Sequence, residues 1–190
     1  MNRRIMLLAA AATAAAGPAF AQTNPAMKMP MNPAPNPQPG SAATGMSEAE
    51  KTHAEKTARI GGASLQMADI ALEKARRPKV REFAQFEHDE QTTVGAILKS
   101  MNPGLSPPNP PADIVEAIDK LKQMKPGEAF DREFVSAQIQ GHEMLRSIQE
   151  DYLKVGKDPD AVNTTKLVLG MIKEHLVLLS DLKKTRDAVL

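Results

Sequence analysis

The stretch that decides the fold is Asn102-Pro103-Gly104-Leu105-Ser106-Pro107-Pro108-Asn109-Pro110-Pro111. Its five prolines remove backbone donors and clash with any preceding helical turn, so no helix crosses it. A short helix from about Ala112 to Met124 follows, closed by Pro126-Gly127. Together these make a crossover of roughly 25 residues: about 12 helical residues rise ~18 Å, and the rest, extended, span ~40 Å more. That is enough to return along a bundle of ~24-residue helices, which stands ~36 Å tall.

On either side of the crossover the chain reads as a tightly linked helical pair. Upstream, Ser47-Glu48-Ala49-Glu50 is a capping box that opens a helix running to about Arg76. Pro78 suits the first turn of a second helix, which carries Val80, Phe83, Val94, Leu98 and Met101 at helical spacing. Downstream, a long helix from about Glu128 to Val155 carries Phe130, Phe134, Ala137, Leu145, Ile148 and Tyr152, and ends at Gly156. Asp158-Pro159 caps and starts the last helix, which continues nearly to Leu190 with Val168, Met171, Leu178, Leu179 and Leu182 in its stripe. Short, long, short is the ferritin-like order of connections, so the expected fold is all-α: a ferritin-like four-helix bundle whose long crossover carries a short extra helix. A plain up-down bundle with a bulky loop is the alternative.

The N-terminal segment predicts export. Arg3 and Arg4 precede an apolar run from Ile5 to Ala16, and Ala19-Phe20-Ala21 is a small-residue cleavage site, so cleavage after Ala21 is expected. The arginine pair lacks the polar and aromatic neighbours usual in twin-arginine leaders, though the export route stays open. The run is shorter than the ~20 apolar residues that a membrane span needs, and no later one is longer. The expected address is periplasmic or secreted. Residues 22–46 hold Pro25, Pro30, Pro33, Pro35, Pro37 and Pro39 among small polar residues, the composition of a disordered or polyproline-like tether. The bundle domain is expected over 47–190.

Composition excludes several function classes. Cysteine is absent, which removes disulfides, thiolate metal sites, a cysteine nucleophile and a lipidated N-terminus. Without Arg3 and Arg4 the formal charge falls from +1 to −1, with 22 basic against 23 acidic side chains, so a nucleic-acid partner is not expected. Phe83, Phe86, Phe130, Phe134 and Tyr152 all fall in helical patterns and read as core. No nucleophile elbow, phosphate loop or zinc signature is present.

A helix turns about 100° per residue, which places each polar side chain relative to its own apolar stripe. His175 lies at the centre of the last stripe and His142 at the edge of the third. On the second helix Glu87 and Gln91 fall in the stripe, with His88 toward a flank; on the first, Ser64 shares a face with Ile60, Met67 and Ala71. Heights from the tight turns bring these positions together near mid-bundle, where such folds place metals. His142, His175, Glu87 and Gln91 are therefore the candidate ligands of a divalent transition metal. The simpler expectation is a core histidine hydrogen-bonded to Gln91 or Glu87. A di-iron centre would need two E-x-x-H motifs; only Glu50-Lys51-Thr52-His53 fits, in a first turn, and Glu143 and Glu174 project away from their neighbouring histidines. Met27-Lys28-Met29-Pro30-Met31 in the tether offers soft thioethers for Cu(I).

Gly61-Gly62, Ala71-Leu72-Glu73-Lys74-Ala75, Val80-x-x-Phe83-Ala84, Phe130-Asp131 with His142 downstream, and Glu174-His175-Leu176 together resemble domain-of-unknown-function family 4142, over Ser47 to about Leu182. The resemblance implies an exported protein with a ferritin-like fold and no assigned activity. The outer-membrane label often given to such proteins does not suit a chain whose period is helical throughout. It also implies an acid in the first helix and an Asp-His pair in the second, where this chain has Ser64 and Gln91, while His142 and His175 match. The expected function is a non-catalytic periplasmic bundle, an envelope-stress or interaction module with a protein partner or a second copy of itself. The alternative is a metal-binding ferritin-like protein with a mid-bundle histidine site.

Overall fold

The computed structural model describes residues 46–185. The leader, almost all of the tether with its Met27, Met29 and Met31, and the last five residues lie outside that range. Helices α1 (Glu48–Lys74), α2 (Pro78–Met101), α3 (Ala112–Gln123), α4 (Glu128–Leu153) and α5 (Pro159–Lys184) follow in order, and no strand occurs among the described residues. The long and short connections fall where the prolines and glycines put them, and the starts of α1, α2 and α5 each have a local cause. Ser47 Oγ accepts from the Glu50 backbone N–H while the Glu50 carboxylate accepts from the Ser47 N–H at 2.7 Å. Asp158 Oδ1 accepts from the Ala161 N–H at 2.8 Å, and Pro78 and Pro159 open α2 and α5.

The main packed faces are α1 with α2, α1 with α4, and α4 with α5, while α3 lies across α1 and α4. The crossover is therefore part of the core: Ile114, Ile118 and Leu121 of α3 are buried with Phe83, Phe130 and Phe134. Lys74 fastens it by donating from Nζ to the carbonyls of Leu121, Lys122 and Met124, the unsatisfied end of α3. Asp131, buried on α4, accepts from the backbone N–H groups of Arg76 at 3.1 Å and Arg77 at 2.8 Å, which ties the α1–α2 link to α4.

Two apolar clusters fill the interior. One, toward the α1–α2 link, holds Met67, Ala71, Phe83, Ala84, Phe134, Ala137 and Leu179; the other holds Ala54, Ile60, Val94, Leu98, Leu145, Val168 and Ile172. On each long helix a buried polar residue sits at the boundary between them: Ser64 on α1, Glu87 on α2, His142 on α4 and His175 on α5.

Two sequence expectations are corrected. Phe86 is 46% exposed rather than core, and Leu178 is 39% exposed rather than in the stripe of α5, whose buried row is Ala161, Thr165, Val168, Ile172, His175 and Leu179. The reason is shared: α2 and α5 approach each other least among the neighbouring long helices, and Phe86 and Leu178 border the open groove between them, along with Phe83 and Leu182. No described helix is long and apolar enough to cross a membrane.

Candidate metal centre

Glu87 is turned inward because it continues the row Val80, Phe83, Ala84 on the buried face of α2, and its side chain is wholly buried. From α4 and α5 two imidazoles meet it. Glu87 Oε2 lies 3.2 Å from His142 Nε2 and 3.1 Å from His175 Nδ1, and the two nitrogens are 3.1 Å apart. Three lone-pair atoms from three helices thus form a near-equilateral triangle. This is a buried group able to hold a metal ion.

Protons cannot satisfy this triangle completely. A hydrogen on one nitrogen must be shared between two acceptors, and hydrogens on both leave two N–H dipoles 3.1 Å apart. A cation satisfies all three edges. The three distances put the triangle's centre ~1.8 Å from each atom, close to the usual ~2.0–2.2 Å metal-ligand distance, so Glu87, His142 and His175 are the residues that would hold an ion. The outer nitrogens are already committed. His142 Nδ1–H donates to the Gln138 backbone carbonyl at 2.8 Å, and His175 Nε2 faces Glu90 Oε2 at 3.2 Å. Both are contacts that orient metal-binding imidazoles. Glu87 Oε1 is buried with no hydrogen-bond partner, a second carboxylate oxygen free for an ion.

The walls are apolar. The Phe83 ring stands edge-on to His175 with centroids 5.1 Å apart, and 6.1 Å from His142. On the α1 side Ser64 Oγ donates to Gln138 Oε1 at 2.7 Å, and Gln138 Nε2 donates back to the Ser64 carbonyl at 3.1 Å, so the polar band is braced across all four long helices.

Burial opposes charge on Glu87, but hydrogen bonds and charge from His142 and His175 outweigh it and hold the carboxyl at about 2. Burial likewise lowers His175, yet hydrogen bonds and charge from Glu87 and Glu90 raise it to about 9. The His175 value stands above the unfolded 6.5, so its contribution to stability is full below pH 6.5 and lost as pH rises through 9. That of Glu87 is depressed from 4.5, so its contribution is full above 4.5 and lost as pH falls through 2. This pair therefore favours the folded metal-free protein most between pH 4.5 and 6.5, against a smaller opposing contribution from His53, and the melting temperature is expected to fall toward pH 9, as read by thermal unfolding followed by circular dichroism. A melting temperature that rises from pH 6.5 to 9 would contradict this pairing.

Of the four candidate ligands, Glu87, His142 and His175 come together and Gln91 does not. The Gln91 carboxamide turns toward α1, where it lies against Gly61 so closely that a β-carbon there would stand 2.4 Å from Gln91 Oε1. His88 points outward to Asp69 at 2.8 Å. Glu90 and Gln138 were not singled out from sequence, although Glu90 is one turn from Glu87 and Gln138 one turn from His142. His53, of the lone E-x-x-H, is a core histidine at the other end of the bundle. It stacks on Tyr152 at 4.1 Å and bonds Gln149 Oε1 at 2.8 Å, and burial lowers its pKa against the pull of that bond. Its partner Glu50 is spent in the capping box.

No curated protein matches the chain. Among solved structures, a crystal structure described as a DUF305 fragment from Deinococcus radiodurans is similar in fold, with a TM-score of 0.64 at 15% identity, covering 72% of this chain and 96% of that one. A family model described as a domain of unknown function, DUF4142, matches residues 35–182, and the chain belongs to that family.

Proposed function

We propose that this is an exported, non-catalytic helical bundle whose interior holds one divalent transition-metal ion on Glu87, His142 and His175. The observation that carries the reading is the triangle of three donor atoms, each edge between 3.1 and 3.2 Å, whose three edges one ion can satisfy together. The donor set, two imidazoles and a carboxylate with no thiolate, suits Zn(II), Fe(II), Co(II) or Ni(II). Calcium and magnesium prefer all-oxygen shells, and Cu(I) prefers sulfur. Export rests on the leader-like N-terminus alone.

The test is calorimetric titration of the metal-stripped full chain with Zn(II). One ion per chain is expected, with His142→Ala and His175→Ala each weakening binding by more than about 100-fold, because each removes one of only three protein ligands. Equal zinc uptake by wild type and both variants would refute the assignment.

A further inference from the structure

Resting on the metal-binding reading, we infer that Glu90 is the positioning residue that decides which ring nitrogen of His175 meets the ion. An imidazole can present either nitrogen, and its neutral form carries one hydrogen that must sit on the other. Both nitrogens of His175 are engaged: Nδ1 enters the triangle, while Nε2 lies 3.2 Å from Glu90 Oε2. A carboxylate oxygen accepts there, so when an ion takes the place of the Nδ1 hydrogen the hydrogen that remains sits on Nε2, and Nδ1 is the nitrogen whose lone pair faces Glu87 and His142. Without Glu90 the opposite tautomer gains ground. Its Nδ1–H donates to Glu87 Oε2 and occupies the place of the ion.

Geometry makes the assignment specific to Glu90. Glu87 and Glu90 lie one turn apart on α2, so one helix presents two carboxylates to the two nitrogens of a single ring. Their settings differ: the Glu87 side chain has no exposure, whereas that of Glu90 is 31% exposed. The inner carboxylate ligates and the outer one orients. Nearby acids do not share the role, since Glu82 pairs with Lys79 and Asp69 with His88.

The experiment measures zinc affinity by chelator competition for wild type, Glu90→Gln, Glu90→Asp and the control Glu82→Gln, with the ¹⁵N spectrum of His175 in the zinc-loaded chain. Glutamine has nearly the shape of glutamate, but its amide can rotate to donate to Nε2, which removes the tautomer preference. Glu90→Gln is expected to keep one ion per chain while losing about 10- to 100-fold in affinity, the usual effect of removing an orienting partner. Glu90→Asp, which keeps the charge and can fold as the wild type does, should recover part of the loss, and Glu82→Gln should lose none. In wild type the spectrum should show a proton on Nε2 and the metal on Nδ1. Unchanged affinity in Glu90→Gln, or zinc on Nε2 in wild type, would overturn this inference while leaving the metal site in place. A wild-type chain that takes up no zinc would overturn the metal-binding reading and this inference with it.

Discussion

Glu87→Ala is expected to destabilise the metal-free protein by about 3–5 kcal/mol, the usual cost of removing one member of a buried ion pair. Glu87 has no exposed side-chain surface, and its Oε2 is the shared acceptor for His142 and His175. Removing it takes away one of the two carboxylates that raise His175 to about 9, so burial pushes the ring back toward its neutral form and the buried pairing is lost, with only the outer Glu90 left beside it. The origin can be checked by replacing Glu87 and His175 together with leucine. Apolar replacement of both members of a buried pair is often neutral, so the double variant should recover part of the loss, with His142 Nε2 still left without its acceptor. Urea unfolding monitored by circular dichroism measures both. A Glu87→Ala change within about 1 kcal/mol of wild type would mean that this carboxylate is not charged and paired in the folded protein.

Phe134→Ala carries the other large effect. The ring is fully buried and meets Phe83 edge-on at 6.3 Å, and Phe83 is the wall against which His175 rests. Truncation leaves a cavity beside Phe83, within the cluster that also holds Phe130 and the buried residues of α3, with an expected loss of about 3–5 kcal/mol. Phe86→Ala, at the groove between α2 and α5 and 46% exposed, should stay within about 1 kcal/mol. Equal costs for the two would show that the groove between α2 and α5 closes in solution.

What the sequence made legible follows from how local each signal is. The two hairpins and the crossover are written in residues that act within a turn or two: the Ser47 and Glu50 box, Pro78, the prolines between Asn102 and Pro111, and Asp158-Pro159. His175 was legible because the stripe of α5 is narrow and the ring sits at its middle. His142 lay at the edge of its stripe, yet is wholly buried, because α4 is covered by α1, α3 and α5 and its interior arc is wide. Gln91 misled for a tertiary reason. It shares the face of Glu87, but the missing side chain at Gly61 gives its carboxamide a place on α1 instead. Leu178 and Leu179 are neighbours of equal hydrophobicity, and only the gap between α2 and α5 decides which one is covered. The role of Glu90 depends on a residue 85 positions away on α5, and no pattern within α2 encodes that.

The most direct measurement is a crystal structure of the zinc-loaded chain with anomalous data at the zinc edge. One interior peak is expected, within ~2.0–2.2 Å of Glu87 Oε2, His142 Nε2 and His175 Nδ1. A folded, zinc-saturated chain with no density inside that triangle, or with its only zinc elsewhere, would contradict the assignment of this polar band as a metal centre.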